Sequence, residues 1–541
     1  MTAEGAPAVG VAEAMGQVGL PAPVSELASR TWDAIVVGGG HNGLTAAAYL
    51  ARAGRSVLVL ERRERLGGAC TLERPFEDAP EYVVSPCAYV VGLLDAVVIR
   101  ELELERHGYR VTPADPNLWC PLPDGSSVAA FLDPMRTVEH MRSQGFSERD
   151  IQGLQAYEET FRRLRLALRN GAGGDTWQRP SPSREEIERI LGGDAELISI
   201  LFEDSIADVL DRYVDEPRIK DALFGQGVIG TFAGPRDPGT ASIKLMHHQG
   251  DLNGLGSVWG YVRGGMGRVS FAIAEAALEA GAQIACGVEV AEISPEEGIR
   301  TESGEFIRAP IVIANADPKR TLGMLDGAGV PAAFRARLED WRVSSPVVKL
   351  NAALNRPPQF TARADGFGPM EAMIAITPGL DAAQEAVEAA RRGEPRFGFA
   401  DLYFQTAYDD SVAPDGKHLM SVFAQYAPYE LAEGDWDSRR DEIAGLILDG
   451  IEVYAPDVRD CIEHLQVLGP PDIEERIGLS GGHIFQGEAL PHQMWDRRLE
   501  WRTPVAGLYM CGAATHPGGS VIALNGRGAA QAVLADVPVR A

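Results

Sequence analysis

The chain has 541 residues, more than one hydrophobic core usually supports, so two domains are expected. Its formal charge of −27 makes nonspecific binding to nucleic acid or to an anionic membrane unfavourable, and 45% hydrophobic with 23% charged residues describes an ordinary soluble globular protein. Six cysteines with no CxxC pair and no zinc-type spacing exclude the simple dithiol mechanism and fit reduced thiols in a cytoplasmic protein.

Residues 1–30 lack a basic segment ahead of an apolar block and lack an Arg-rich amphipathic pattern, so they read as a flexible extension and not as a targeting leader. From Trp32 to Thr71 the pattern is strand, glycine turn, helix, strand. The apolar run Ile35-Val36-Val37 leads into Gly38-Gly39-Gly40-His41-Asn42-Gly43, a small-residue helix follows, and a second apolar run from Val57 ends on Glu61. The glycines do different things. Gly38 turns the chain off the strand, Gly40 leaves room for a pyrophosphate, and Gly43 lets helix and sheet pack closely. A pyrophosphate would lie on unpaired helix N–H groups, Asn42 among the residues of that turn. Glu61 is placed to accept hydrogen bonds from ribose hydroxyls and would repel a 2′-phosphate, which disfavours NADP.

Arg62, Arg63 and Arg65 either touch the pyrophosphate or form a solvated charge cluster. A second glycine pair, Gly67-Gly68, follows so soon that the backbone is expected to approach an extended cofactor again, which points to FAD. The run from Ile35 to Gly68 resembles the FAD-binding signature shared by flavin amine oxidases and the carotenoid (phytoene) desaturase group.

The apolar stretch from Val83 to Ile99 is interrupted by Ser85, Pro86 and Asp95 and is shorter than the ~20 residues that span a bilayer. It reads as buried core, with a membrane-dipping surface as the alternative. Leu118-Trp119-Cys120 and Val128 to Phe131 are expected to pair as strands. Amphipathic periodicity predicts a helix from Ser147 to Asn170, capped by Ser147, and two more from Arg184 to Leu191 and from Ala195 to Tyr213. The adjacent histidines His247 and His248 point too far apart on a strand or a helix to share a metal. No other metal site is apparent.

A glycine-rich segment ends near Arg268, a small-residue helix runs from Val269 to Ala280, and a short β meander follows from Val288 to Phe306. Strands are expected from Val347 to Leu354 and Leu419 to Tyr426, and a helix from Asp437 to Tyr454. The stretch Gly481 to Gly487, containing His483, resembles the glycine-rich turn that precedes the closing FAD segment in desaturase-like proteins. The chain closes on Gly512, Thr515-His516-Pro517-Gly518-Gly519-Ser520-Val521 and Asn525-Gly526-Arg527-Gly528, which resembles that group's C-terminal motif. It departs from the motif at Ser520 to Leu524, where the family carries more glycine.

The resemblance to the phytoene desaturase-like FAD-dependent oxidoreductases implies an α/β fold: a Rossmann-like FAD-binding domain of the glutathione reductase/amine oxidase type with an inserted α+β substrate domain. Residues 31–90, 255–325 and 492–541 would form the discontinuous FAD-binding domain, and 91–254 with 326–491 the substrate domain. Implied FAD contacts are Gly38, Gly40, Asn42, Gly43, Glu61, Arg62, Gly67, Gly68, Val290 against the adenine, and Gly512, Gly519, Ser520 and Val521 at the flavin edge. His516 and His483 are candidate acids or bases, with a turn-capping role as the alternative. Cys70 and Cys511 invite a covalent-link hypothesis against simple packing.

The implied reaction is desaturation or isomerisation of a small apolar, polyene or isoprenoid-like substrate by hydride transfer to flavin N5, with oxygen or a quinone as electron acceptor. A flavin amine oxidase and a low-turnover flavin-binding regulatory protein are the alternatives. No nucleic-acid partner is expected, a cytoplasmic location is, and peripheral membrane contact and the oligomeric state stay open.

Overall fold

A computed structural model describes residues 23–171, 173–325 and 329–538. Residues 1–22, most of the extension, therefore lie outside the described residues. The rest of that extension is folded onto the protein: Val24–Leu27 is a short helix, Leu27 is buried, and the Trp32 indole donates to its carbonyl at 3.0 Å. Residues 23–30 thus correct the expectation of a flexible segment ending at 30.

Two sheets carry the architecture. The first is a five-stranded parallel sheet in the spatial order Leu508–Met510, Val312–Ala314, Ala34–Val37, Val57–Glu61, Gln283–Cys286. Its strands come from three distant parts of the chain and are buried on both faces, as parallel sheets require. Helix His41–Arg52 packs between helices Gly267–Glu279 and Leu524–Asp536 on one face. Small residues make that approach possible: a Cβ on Gly526 would lie 2.1 Å from the Asn42 carbonyl oxygen.

The second sheet has seven strands, in the order Ile462–Leu468, Val347–Leu354, His418–Gln425, Phe399–Tyr403, Ile374–Ile376, Leu118–Pro121, Ser127–Ala130. It draws strands from both insertions, joined by the parallel contact of Ile374 with Trp119. The expected pairing of Leu118 to Cys120 with Val128 to Ala130 is present. A helical layer rests on it, led by Glu148–Asn170, whose first turn is capped by Ser147 accepting from the Asp150 N–H at 3.1 Å. The helix expected over Ala195 to Tyr213 is two helices, Ala195–Phe202 and Ile206–Tyr213. The break has a local cause, since Ser205 and Asp208 form a reciprocal capping box that starts a new helix.

The stretch from Val83 to Val98 is core: Val84, Val91, Leu93, Leu94 and Val98 are all buried, and Asp95 caps the helix Ala96–Glu101. No helix among the described residues is long and apolar enough to cross a membrane. The strand Gly260–Val262, expected in the FAD-binding part, pairs with Val111–Pro113 of the other part, so the boundary near 255 is bridged by hydrogen bonds.

Candidate active site

A cavity of about 570 Å³ runs from the glycine turn of the parallel sheet to the inner face of the seven-stranded sheet. Its first end lies outside the carboxyl end of Ala34–Val37, the strand flanked by Val312–Ala314 on one side and Val57–Glu61 on the other. Open α/β sheets bind ligands at such a switch point. Gly38, Gly40, Asn42, Glu61, Arg62, Gly67, Gly68 and Val290 line it.

The local geometry suits a dinucleotide. Glu61 is held by two backbone donors, the N–H of Gly39 at 2.7 Å and of Arg63 at 2.9 Å, and burial pushes its carboxyl up from the ordinary carboxylate range. A Cβ on Gly40 would lie 2.8 Å from Asn315 Nδ2, so a side chain there would have to displace the Asn315 amide that donates to the Gly38 carbonyl. Gly40 and Gly67 form a bridge between the two glycine turns, bringing both backbones to one wall. Two buried atoms beside the helix start, His41 Nε2 and Asn42 Oδ1, have no protein partner. Burial holds His41 neutral, its pKa lowered to about 4. Unpaired donors and acceptors around a helix N-terminus are what a pyrophosphate and its ribose would satisfy.

Other expected contacts fall elsewhere. Gly43 packs and lines nothing; its Cβ would meet the Gly38 carbonyl oxygen at 2.2 Å. Gly512 and Gly519 back the wall, with added Cβ atoms 2.3 Å from Gln486 Oε1 and 2.4 Å from Phe485 Cβ, while Ser520 and Val521 line the cavity itself. Arg62 lines the cavity, yet its Nη2 donates to the Glu475 carbonyl at 2.8 Å. Arg63 and Arg65 turn away to Glu73.

His483 and His516 are corrected as acid–base candidates. Both are fully buried and neither lines the cavity. His483 Nδ1 accepts from the Phe485 N–H at 3.2 Å, and His516 Nε2 contacts the Thr176 carbonyl at 2.7 Å. Burial lowers their pKa values to about 3 and about 4, so both are neutral packing groups that brace turns. Cys70 lines the cavity with its thiol pushed up to about 12 by burial and its Sγ donating to the Met266 carbonyl at 3.1 Å, which is packing, not thiolate chemistry.

The second end of the cavity holds the residues that sequence reasoning missed. Lys349, Phe423 and Asp401 sit in one register row on three neighbouring strands, so their side chains share the cavity face. Two strand spacings put the Lys349 and Asp401 backbones about 10 Å apart. Lys349 Nζ donates to Asn351 Oδ1 at 3.1 Å and to Ser421 Oγ, with no carboxylate partner, and burial lowers its ammonium to about 7. Asp401 accepts from the Tyr403 hydroxyl at 3.4 Å, and burial pushes it up to about 7. Lys349 is buried and Asp401 half-buried, and two ionisable groups that face one cavity and titrate near neutrality make this end a candidate reaction site. The remaining wall is apolar and aromatic, with Tyr89, Trp259, Met373, Ile484 and Phe485. His247 and His248 also line the cavity. Their Nδ1 atoms lie 2.9 Å from the Ile243 carbonyl and 2.7 Å from the Lys244 carbonyl, and no metal-holding cluster exists among the described residues.

A dinucleotide cleft that opens into an apolar chamber is the arrangement expected of a flavin oxidoreductase. The chain belongs to the flavin-containing amine oxidoreductase family, whose model matches residues 153–534, while residues 36–90 match an NAD(P)-binding Rossmann-like domain. It is 32% identical to pyridine nucleotide-disulfide oxidoreductase domain-containing protein 2 of Rattus norvegicus, over 94% of each chain. It is also 26% identical to one of the subunits of limonene dehydrogenase from Castellaniella defragrans (93% of this chain, 95% of that one) and 23% identical to the lycopene-forming phytoene desaturase of Pseudescherichia vulneris (90% and 95%). Those relatives place it with the phytoene desaturase-like enzymes. Its fold is shared with a putrescine oxidase solved with putrescine bound, at TM-score 0.58 and 16% identity over 94% of this chain and all of the other. A flavin carried on a dinucleotide site is FAD, and FAD is the cofactor.

Proposed function

We propose that this FAD-dependent oxidoreductase desaturates an apolar, polyene or isoprenoid-like substrate and passes the two electrons to oxygen or a quinone, or isomerises such a substrate with no net transfer of electrons. The observation that carries the reading is the continuity of one cavity from the glycine turns to a chamber walled by Phe423, Phe485, Trp259, Met373 and Ile484. Two of the full-length relatives are named for limonene and for phytoene, both isoprenoids.

FAD would lie with its ribose on Glu61, its pyrophosphate at the start of helix His41–Arg52, its adenine against Val290 and its flavin beside Ser520 and Val521. When bound it supplies the hydride acceptor. The protein excludes water with the aromatic wall, and Lys349 and Asp401 hold or move protons at Nζ and at the carboxylate. A second reading, amine oxidation, has one observation in its favour: the Asp401 carboxyl faces the cavity beside the aromatic ring of Tyr403, and a carboxylate there could pair with a substrate ammonium.

Anaerobic mixing of the flavinated protein with carotenoid precursors, with smaller isoprenoids and with amines separates the two. Bleaching of the flavin by an isoprenoid supports desaturation. Bleaching by amines alone would select the second reading.

A further inference from the structure

Beside the flavin cleft, on the far side of Gly68 and of helix Pro470–Ile477, a second open basin of about 290 Å³ is lined by Arg63, Arg65, Arg74 and Arg476, together with Glu73 and Pro75. Four guanidinium groups meet one carboxylate there, in a chain whose net charge is −27. Glu73 lies at the bottom with its side chain 4% exposed. Arg63 Nη2 approaches Glu73 Oε1 at 2.5 Å, Arg476 Nη2 pairs with Oε2, and Arg65 Nη1 stands 3.9 Å from Oε1. Two further contacts orient the cluster, Arg65 Nη1 to the Leu72 carbonyl at 3.1 Å and Arg63 Nη1 to the Gly68 carbonyl at 3.5 Å.

One buried carboxylate therefore holds three guanidinium forks in place and neutralises only one of them. The charges crowd each other: burial, Arg63 and Arg476 lower the Arg65 pKa, and Glu73 with Glu64 offsets this in part. An anchored, under-neutralised set of forks is a preorganised receptor for a tetrahedral dianion, because each guanidinium presents paired N–H donors that match phosphate oxygens. Such a ligand also removes the repulsion between the cations.

We propose that this basin is a phosphate-group site, distinct from the FAD pyrophosphate site, which is served by Gly40, Gly67 and the start of helix His41–Arg52. Arg476 sits on helix Pro470–Ile477, which also gives Ile473 and Ile477 to the wall of the flavin cleft. A phosphate bound outside that helix would stiffen the cleft wall. The phosphate comes from a soluble phosphorylated metabolite or from an anionic lipid headgroup.

The test uses the fully flavinated protein, so that the pyrophosphate site is filled. Inorganic phosphate should raise its melting temperature in a salt-sensitive way and show calorimetric binding that weakens roughly tenfold or more in Arg65→Gln/Arg476→Gln, with unchanged FAD content. Arg74→Gln, which leaves Glu73 and its partners intact, guards against misfolding of the double variant and should weaken binding by a smaller factor. Co-sedimentation with phosphatidylglycerol vesicles but not phosphatidylcholine vesicles, lost in the same variants, assigns the phosphate to a lipid; phosphate binding without vesicle binding assigns it to a metabolite. No phosphate binding to the flavinated protein, equal binding by wild type and all variants, or binding seen only after FAD removal would overturn the site.

Discussion

Glu61 shows how one side chain links sequence to cofactor. Its carboxylate is fastened by the Gly39 and Arg63 N–H groups and reaches the cavity from the end of a buried strand. Replacement by Ala removes the ribose acceptor, and FAD affinity should fall by about 1.5–3 kcal/mol in an equilibrium titration; an unchanged dissociation constant would take Glu61 off the ribose. Asp401 makes a pH-dependent prediction. Its carboxyl titrates at about 7 in the folded protein against an ordinary value of 3.8, so the folded state holds the proton across that window. The associated stability is complete below pH 3.8 and lost as pH rises through about 7. Asp401→Asn keeps a neutral side chain throughout, so it should match wild type near pH 4 and be more stable at pH 8, by a few kcal/mol at order of magnitude. Denaturant unfolding at the two pH values measures this, and a pH-independent difference would contradict it. The glycine turn and Glu61 could be read from the sequence because their chemistry is contained in about 30 consecutive residues. Lys349 was visible only as a charge inside the apolar run Val347–Leu354. Its relation to Asp401 exists only through the pairing of both with Phe423, and nothing local encodes that.

The closing motif is held by an element the sequence did not single out. Arg498, fully buried, donates from Nη1 to the Glu488 carbonyl at 3.0 Å and from Nη2 to those of Phe485 at 3.0 Å and Ala513 at 2.5 Å. It thereby clamps the turn after His483 to the segment that leads to Ser520 and Val521. That explains why two glycine-rich turns more than twenty residues apart meet behind one wall, where the sequence showed only two separate motifs. Arg498→Leu strips the buried carbonyls of Glu488, Gln493, Phe485 and Ala513 of this donor and weakens the hold on that of Thr515, and each unsatisfied group costs about 1–3 kcal/mol. The variant should lose several kcal/mol in denaturant unfolding and release flavin more readily; wild-type stability would mean that the clamp is incidental. The same segment departs from the family's glycine pattern, and the structure places Ser520 at φ +89° and Ala523 at φ +67°, the left-handed region that glycine adopts at least cost. The turn thus holds two non-glycine residues in a conformation that glycine adopts at least cost, at the expense of local strain.

At the scale of the whole molecule the two sheets are not independent bodies. The parallel sheet is assembled from strands near residues 34, 57, 283, 312 and 508, and the seven-stranded sheet from strands near 118, 127, 347, 374, 399, 418 and 462. The chain crosses between them repeatedly, Gly260–Val262 pairs with Val111–Pro113 in a separate two-stranded ribbon, and the cavity takes its walls from both sheets. Alternating segments of this kind leave neither domain able to complete its sheet from one continuous stretch. FAD bound in the shared cavity stabilises the native state by mass action, and because both sheets line the cavity the gain applies to both. Thermal unfolding should therefore show one cooperative transition in the flavinated protein, and removal of FAD should lower that single transition as a whole. Calorimetry of the flavinated and stripped forms checks it: two resolved transitions, of which FAD moves only one, would show that the sheets melt separately and that the cavity is a seam between domains instead of a shared interior.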